Sequence, residues 1–461
     1  MEVYRRGIPG FTRNKGFYRV FFRLLAVVTL QQLATFAVNM VDNIMLGRYA
    51  EAALSGATLV NQYQNILMNL TAGAGMGIVV LAGQYWGKGR TTEIKKIISL
   101  GVKLNLTVGI VFFILGMTVP EQMLRLLTSD DAIIREGIRY IRILCFTYPI
   151  YTISSSLMYA LQSVETVFIG TVMSLSTVCI NFCLNSLLIY GRFGFPEMGV
   201  AGAAVATLIS RCIELLIVLV YIFKIDKKLK TKPLELIRTD FSFFGDYMKV
   251  STPLMISGFF WGIAQTVQTA ILGHMAAPAI AATSIVTITF SILSVVGMAC
   301  ASVSNVVISK EIGINGLKNI REYSITMQLI FIIIGLISGT LIFLCRGLII
   351  NLYAAGLSPE ARDITWQFLT VLAFTVPFSC YEYPVQSGII AGGGDTKYPA
   401  IIENLFNWLW VLPMSALCAF VLHLSPTWVY LMLKSDQILK CIPNGIKCNR
   451  FRWARELTRQ E

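Results

Sequence analysis

Apolar stretches long enough to cross a bilayer recur a dozen times along this chain, separated by short polar connections. A hydrocarbon core about 30 Å thick takes roughly 20 apolar residues as a helix. The expected spans are 18–47, 52–82, 97–119, 132–161, 168–190 and 199–223, then 248–272, 279–308, 322–345, 360–390, 398–423 and 427–444. Only 14% of the 461 residues are charged and the mean hydropathy is +0.67. A soluble surface normally needs about 25% charge. The chain therefore reads as an all-α polytopic membrane protein with twelve transmembrane helices. The twelfth span is the poorest: TWVYLMLKSDQILKCIP offers about 15 residues before Pro443 and carries Lys434 and Asp436. It is kept because the basic tail must return to the side on which the chain began.

The formal net charge of +13 raises the question of nucleic acid, and its distribution answers it. Lys and Arg gather in RRGIPGFTRNKGFYR, WGKGRTTEIKK, KIDKKLKTKP, KEIGINGLKNIR and IKCNRFRWARELTR, and are scarce in alternate connections such as GRFGFPEMG and HLSPT. Basic loops on one side only are the positive-inside pattern. Both termini are then cytoplasmic, the span number is even, and the expected location is the cell (plasma) membrane. The basic excess is a topology signal that also meets anionic lipid, with no nucleic acid as partner. The first apolar segment is too long for a secretory leader and reads as the first span. Ten cysteines lack framework spacing, and several sit inside spans, so few or no disulfides are expected.

The first six spans repeat in the last six. NIMLGRYAEAALSGATLV (43–60) aligns without gaps on TAILGHMAAPAIAATSIV (269–286), an offset of 226 that also sets Gly87 on Gly313 and Asn181 on Asn407. CFTYP (145–149) pairs with AFTVP (373–377), and ALQSVET (160–166) with IAGGGDT (390–396). Repeats of this kind mark secondary transporters. With an even number of spans each, the halves are parallel repeats related by a pseudo-two-fold axis along the membrane normal. The expected organisation is a tail at 1–17, six-helix bundles at 18–223 and 248–444, a cytoplasmic linker at 224–247 and a basic tail at 445–461.

VNMVDNIMLG, GQYWGKG, ILGHMAAPAIAA and GGGDTKYP resemble the multidrug and toxic compound extrusion (MATE) family of antiporters, prokaryotic type, over residues from about 20 to 440. The resemblance implies alternating access and export of small organic, often cationic, compounds in exchange for Na⁺ or H⁺. It implies no cofactor beyond the coupling ion, and a monomer in the lipid bilayer. Polysaccharide and lipid-intermediate flippases share the wider fold and form the alternative.

An ionisable residue inside a span is functional by default, because its burial costs several kcal/mol unless it is paired or wet. Asp42 in VNMVDNIMLG is such a residue. A hard cation there needs further oxygens. Asn181 and Asn185, four apart, share one helix face, and Thr207 adds a hydroxyl. Composition alone does not bring spans 1, 5 and 6 together; the resemblance does, matching these four to a cation-binding set in which some relatives carry a second acid at the position of Asn185. Glu382, in VPFSCYEYPVQSG between Pro377 and Pro384, is the candidate for a second acidic site. Gln62, Tyr63, Tyr151, Trp261 and Gln265 are the candidates for a substrate cavity, where aromatic faces attract organic cations.

Other chemistry is poorly served. No nucleophile–base pair or nucleotide motif argues for an enzyme, and GGGDTK lacks the order of a phosphate loop. His274 and His423 lie near outer span ends without cysteine at ligand spacing, which gives no metal centre. A flippase needs a basic groove, and the span interiors offer little beyond Arg139, Arg142 and Arg211 for one.

Overall fold

Apolar, helix-favouring stretches bounded by Gly, Pro and charge fold as helices throughout. The computed structural model describes residues 11–238, 240–273, 277–352 and 358–459, and among them all regular structure is helical. In chain order the helices are α1 (Lys15–Tyr49), α2 (Glu51–Gly87), α3 (Thr91–Thr118), α4 (Pro120–Arg125), α5 (Asp131–Leu144), α6 (Thr147–Ser163), α7 (Phe168–Leu188) and α8 (Val200–Val220). There follow α9 (Pro233–Ile237), α10 (Phe244–Gly273), α11 (Ala277–Asn315), α12 (Ile320–Leu352), α13 (Pro359–Tyr383), α14 (Lys397–Phe406), α15 (Leu412–Ala416) and α16 (Pro426–Asn449). Wider π turns extend α13 over Pro384–Ile390, join α14 to α15 over Asn407–Val411, and continue α15 over Leu417–Val421.

Ten helical stretches among the described residues are long and apolar enough to cross a membrane. The other two expected spans have identifiable departures. The segment 132–161 is divided into α5 and α6 near Cys145 and Phe146. Its first part is amphipathic, with Ile134, Tyr140, Ile141 and Leu144 buried and Arg135, Arg139 and Arg142 exposed. Asp130 caps it, accepting from the amides of Ala132 at 2.8 Å and Ile133 at 3.3 Å. The last span corrects the expectation of about 15 residues ending at Pro443. α16 runs through that proline for 24 residues, about 36 Å at 1.5 Å per residue, enough to cross the hydrocarbon. Its charges are not exposed interruptions: Lys440 is 2% exposed and ion-paired.

The chain divides into two compact units, one of Ala26–Phe259 and one of the residues up to Leu25 with Phe260 onward. The division falls inside α1 and α10. In the first unit, Leu46, Ala57, Leu67, Leu144, Tyr148, Ala203 and Ala204 form the buried core. α2 and α5 meet closely enough there that a Cβ on Gly56 would lie 2.7 Å from the amide nitrogen of Gly137. The linker is tied to α3 by Lys95–Glu235 (3.0 Å) and Lys96–Asp240 (2.7 Å) ion pairs. Hydrogen bonds from Lys96 and from Ser242 hold the Asp240 carboxyl well below the usual carboxylate range.

In the second unit, Phe368 stacks on Tyr430 at 4.5 Å within a core drawn from α11, α12, α13 and α16. The tail folds back on the glycine loop before α14. Trp453 is fully buried and donates through Nε1 to the Cys448 carbonyl at 2.7 Å, while the Arg455 amide donates to the Gly393 carbonyl at 2.8 Å. A Cβ on Gly393 would collide with the Trp453 ring at 2.2 Å, and Gly394 adopts φ +96°, so this turn requires glycine.

Candidate functional site

Three helices of the first unit bring the four oxygen-bearing residues into one chain of hydrogen bonds. Asp42 comes from α1, Asn181 and Asn185 from α7, and Thr207 from α8; all are buried. Asn185 Nδ2 donates to Asp42 Oδ1 and, at 2.9 Å, to Asn181 Oδ1. Asn181 Nδ2 donates to Thr207 Oγ1 at 3.4 Å. Spacing of four places both amides one turn apart on α7, which is what lets one side chain reach α1 and the other α8. Asn185 Oδ1 is buried without a hydrogen-bond partner, a neutral acceptor beside the carboxylate. A small polar cavity is lined by Asp42, Asn181 and Thr207 together with Asn61, Gln64, Tyr140, Thr177, Ser210 and Arg211. Carboxylate, amide and hydroxyl oxygens are the donor set of a hard monovalent cation, and the carboxylate alone suffices for a proton.

Arg211, seen in the sequence as an isolated intramembrane arginine, sits on this cavity with its charge already matched. Its Nη1 meets Glu214 Oε2 at 2.6 Å. Arg139 and Arg142 are exposed, Arg139 being paired with Glu136 at 2.9 Å. Among the described residues these three arginines make no basic groove.

The cavity candidates are spread. Gln64, two residues beyond Gln62, lines the Asp42 cavity. Tyr63 packs within the unit, its ring on Phe112 at 4.7 Å and its hydroxyl donating to the Phe112 carbonyl at 3.0 Å. Tyr151 lies under the Arg211 guanidinium at 5.1 Å. Trp261 and Gln265 stand on α10 in the second unit, Trp261 exposed and Gln265 half-buried. His423 is exposed, and His274 lies outside the described residues.

The second unit holds a polar cluster that the sequence reading missed. Lys440 Nζ lies 2.9 Å from Glu403, 2.8 Å from Asp436 and 3.7 Å from Glu382. Gln386 and Asn407 each donate to Glu403 at 2.9 Å, and Asn444 donates to Gln386 at 2.9 Å. Glu382 Oε2 is buried without a hydrogen-bond partner. The carboxylates converge on an ammonium, and among the described residues no group of three or more His, Cys, Asp and Glu is placed to hold a metal ion. The signal was present: Asp436 and Lys440 are four apart on one helix, and Glu382, the candidate second acid, and Glu403 stand elsewhere in the same half.

The repeat relates this cluster to the first unit with its charges exchanged. At the offset of 226, Thr177 corresponds to Glu403 and Glu214 to Lys440; at the offset of 228 set by CFTYP and AFTVP, Ser154 corresponds to Glu382. In the first unit a central carboxylate, Glu214, accepts from Ser154 at 3.1 Å and Thr177 at 3.4 Å. In the second a central ammonium takes its place and the hydroxyls become carboxylates. The cation set is not repeated: Asp42, Asn181, Asn185 and Thr207 fall on Gln268, Asn407, Val411 and Leu433. Only the amide contact survives, Gln268 Nε2 donating to Asn407 Oδ1 at 3.2 Å.

The family model MatE matches residues 28–187 and 253–407, one stretch in each half. The Listeria innocua protein named "Probable multidrug resistance protein NorM" is 23% identical over 401 residues, covering 86% of this chain and 87% of its own length. The solved structure of a MOP superfamily transporter from Pyrococcus furiosus superposes with TM-score 0.85 at 16% identity, over 96% of this chain and 99% of that one. A Vibrio cholerae MATE transporter, VcmN, gives TM-score 0.85 at 14% identity, over 96% and 98%. The shared fold is the all-α polytopic membrane fold of those transporters.

Proposed function

Since the chain belongs to the MatE family, and is thereby a secondary active transporter, we propose that it exports small organic compounds across the cell membrane in exchange for Na⁺ or H⁺ bound at Asp42. The observation that carries the reading is the run Asp42–Asn185–Asn181–Thr207 on one cavity. A lone carboxylate in a poorly solvated site is stable when a monovalent cation meets its charge and unfavourable when none does. That difference is what lets ion occupancy bias one conformation over another. The ion arrives from outside and favours loss of substrate; its escape inward favours loading from the cytoplasm. The name of the Listeria relative supports cargo of the multidrug type. The protein works as a monomer in lipid.

The test is export of an organic cation from proteoliposomes under separately imposed Na⁺ and pH gradients. The reading expects one of the two gradients to drive accumulation; export that ignores both would end it. Glu382→Gln is expected to impair export less than Asp42→Asn, because Glu382 stands beside the Lys440 ammonium, whereas Asp42 is joined to two amides and a hydroxyl. Equal loss at matched expression would mean the coupling site is misplaced or double.

Both termini are cytoplasmic in this reading. In a cysteine-free background, Phe195→Cys should react with an impermeant maleimide in intact cells, and Arg455→Cys only after permeabilisation. Both side chains are exposed, so protection reports sidedness. External labelling at position 455 would remove the twelfth span from the topology.

A further inference from the structure

Asp42 shares its cavity with a fixed cation. Arg211 stands one turn beyond Thr207 on α8, lines the same cavity as Asp42, and has a side chain only 13% exposed. Its partner Glu214 does not depend on it alone, since Ser154 holds one carboxylate oxygen and Thr177 the other. Among the described residues, the other titratable groups here are the phenol of Tyr140 on α5, which lines the cavity, and that of Tyr151 on α6, which packs against Arg211. Asp42 and Arg211 on the cavity, with the Glu214 that pairs with Arg211, sum to a single net negative charge, the complement of one Na⁺ or one H⁺.

We propose that Arg211 is a resident cation that fixes the number of coupling ions at one and, by repulsion, keeps the ion at Asp42 releasable. This rests on Asp42 being the coupling acid. Without Arg211, the buried carboxylates of Asp42 and Glu214 would both lack a neighbouring positive charge, a situation relieved only by taking up another cation or proton. With Arg211 but without Glu214, the guanidinium would itself neutralise Asp42 and exclude the ion. The device belongs to the first half alone, because the repeat counterparts of Arg211 and Glu214 are Gln437 and Lys440.

The experiment is equilibrium binding of radiolabelled Na⁺, with proton uptake followed in parallel, on the purified full-length protein and its variants. Glu214→Gln is expected to weaken cation binding about tenfold or more, through an unscreened like charge at short range, although Glu214 is not among the proposed ion ligands. Adding Arg211→Gln to Glu214→Gln should restore binding of one cation, since both charges are then gone. Arg211→Gln alone should bind a second cation or hold the first about tenfold tighter, and Arg211→Lys should keep the count at one. A purely structural ion pair would also let the double variant recover, but it predicts weaker cation binding in Arg211→Gln alone, an outcome that overturns the proposal. Unchanged binding in Glu214→Gln, or a loss that the second substitution does not restore, overturns the proposal. If Arg211→Gln does not fold, the thermal midpoint of Glu214→Gln decides: weakened cation binding at a wild-type midpoint supports the proposal, and weakened binding that comes only with a lowered midpoint overturns it. Asp42→Asn in the same series separates the two claims: wild-type cation binding there would refute the Asp42 reading itself, whereas its loss with normal Glu214→Gln binding refutes only the role of Arg211.

Discussion

Asparagine in place of Asp42 is expected to lower gradient-driven export about a hundredfold, the scale of a coupling free energy lost whole. Fold should survive, because the carboxamide oxygen can still accept from Asn185 and the shape is unchanged. What disappears is the charge that a cation must meet, so occupancy no longer distinguishes the two access states. Substrate binding should persist at altered strength. Asn181→Ala and Asn185→Ala remove neutral oxygens only, and raised Na⁺ or lowered external pH should partly rescue them. The check is efflux from proteoliposomes at matched protein density. Wild-type rates from Asp42→Asn would mean that Asp42 is a wetted helix end.

The largest stability effect is expected at Lys440. Its ammonium is 2% exposed and faces three carboxylates, two of them within 3 Å. Breaking a buried ion pair by removing one partner leaves charge without compensation and costs about 3–5 kcal/mol. Lys440→Met should therefore lower the thermal midpoint in detergent markedly and reduce the folded yield. Adding Glu403→Gln should recover part of the loss, because one orphaned carboxylate is then gone. A Lys440→Met protein as stable as wild type would show that the cluster contributes nothing to packing α16 against α13 and α14.

How much of this was legible follows from what a sequence pattern measures. Hydropathy is local, and it located ten apolar helices among the described residues. Buried ion pairs defeat the same measure. Asp436 and Lys440 read as polar interruptions of a weak span, yet each removes the other's cost once Glu403 and Glu382 come alongside. Pro443 read as a stop, but α16 continues through it to Asn449. In the site, the spacing of Asn181 and Asn185 gave their shared face directly. Their meeting with Asp42 and Thr207 depends on helices far apart in sequence, and only the family resemblance suggested it. Arg211 and Glu214 are charges three residues apart in the sequence, but the place of Arg211 on the Asp42 cavity, with Glu214 paired behind it, belongs to tertiary structure. Tyr63 shows the reverse limit: an aromatic suited to cargo by type is engaged by Phe112.

The central claim is that cation and cargo are linked through Asp42. The most direct measurement is equilibrium binding of one labelled organic cation to purified wild-type and Asp42→Asn protein, with Na⁺ titrated at fixed pH and pH titrated without Na⁺. Wild-type protein should release cargo as one of the two ions rises, and the Asp42→Asn protein should bind cargo with an affinity independent of both. The same ion dependence in both proteins would contradict the account.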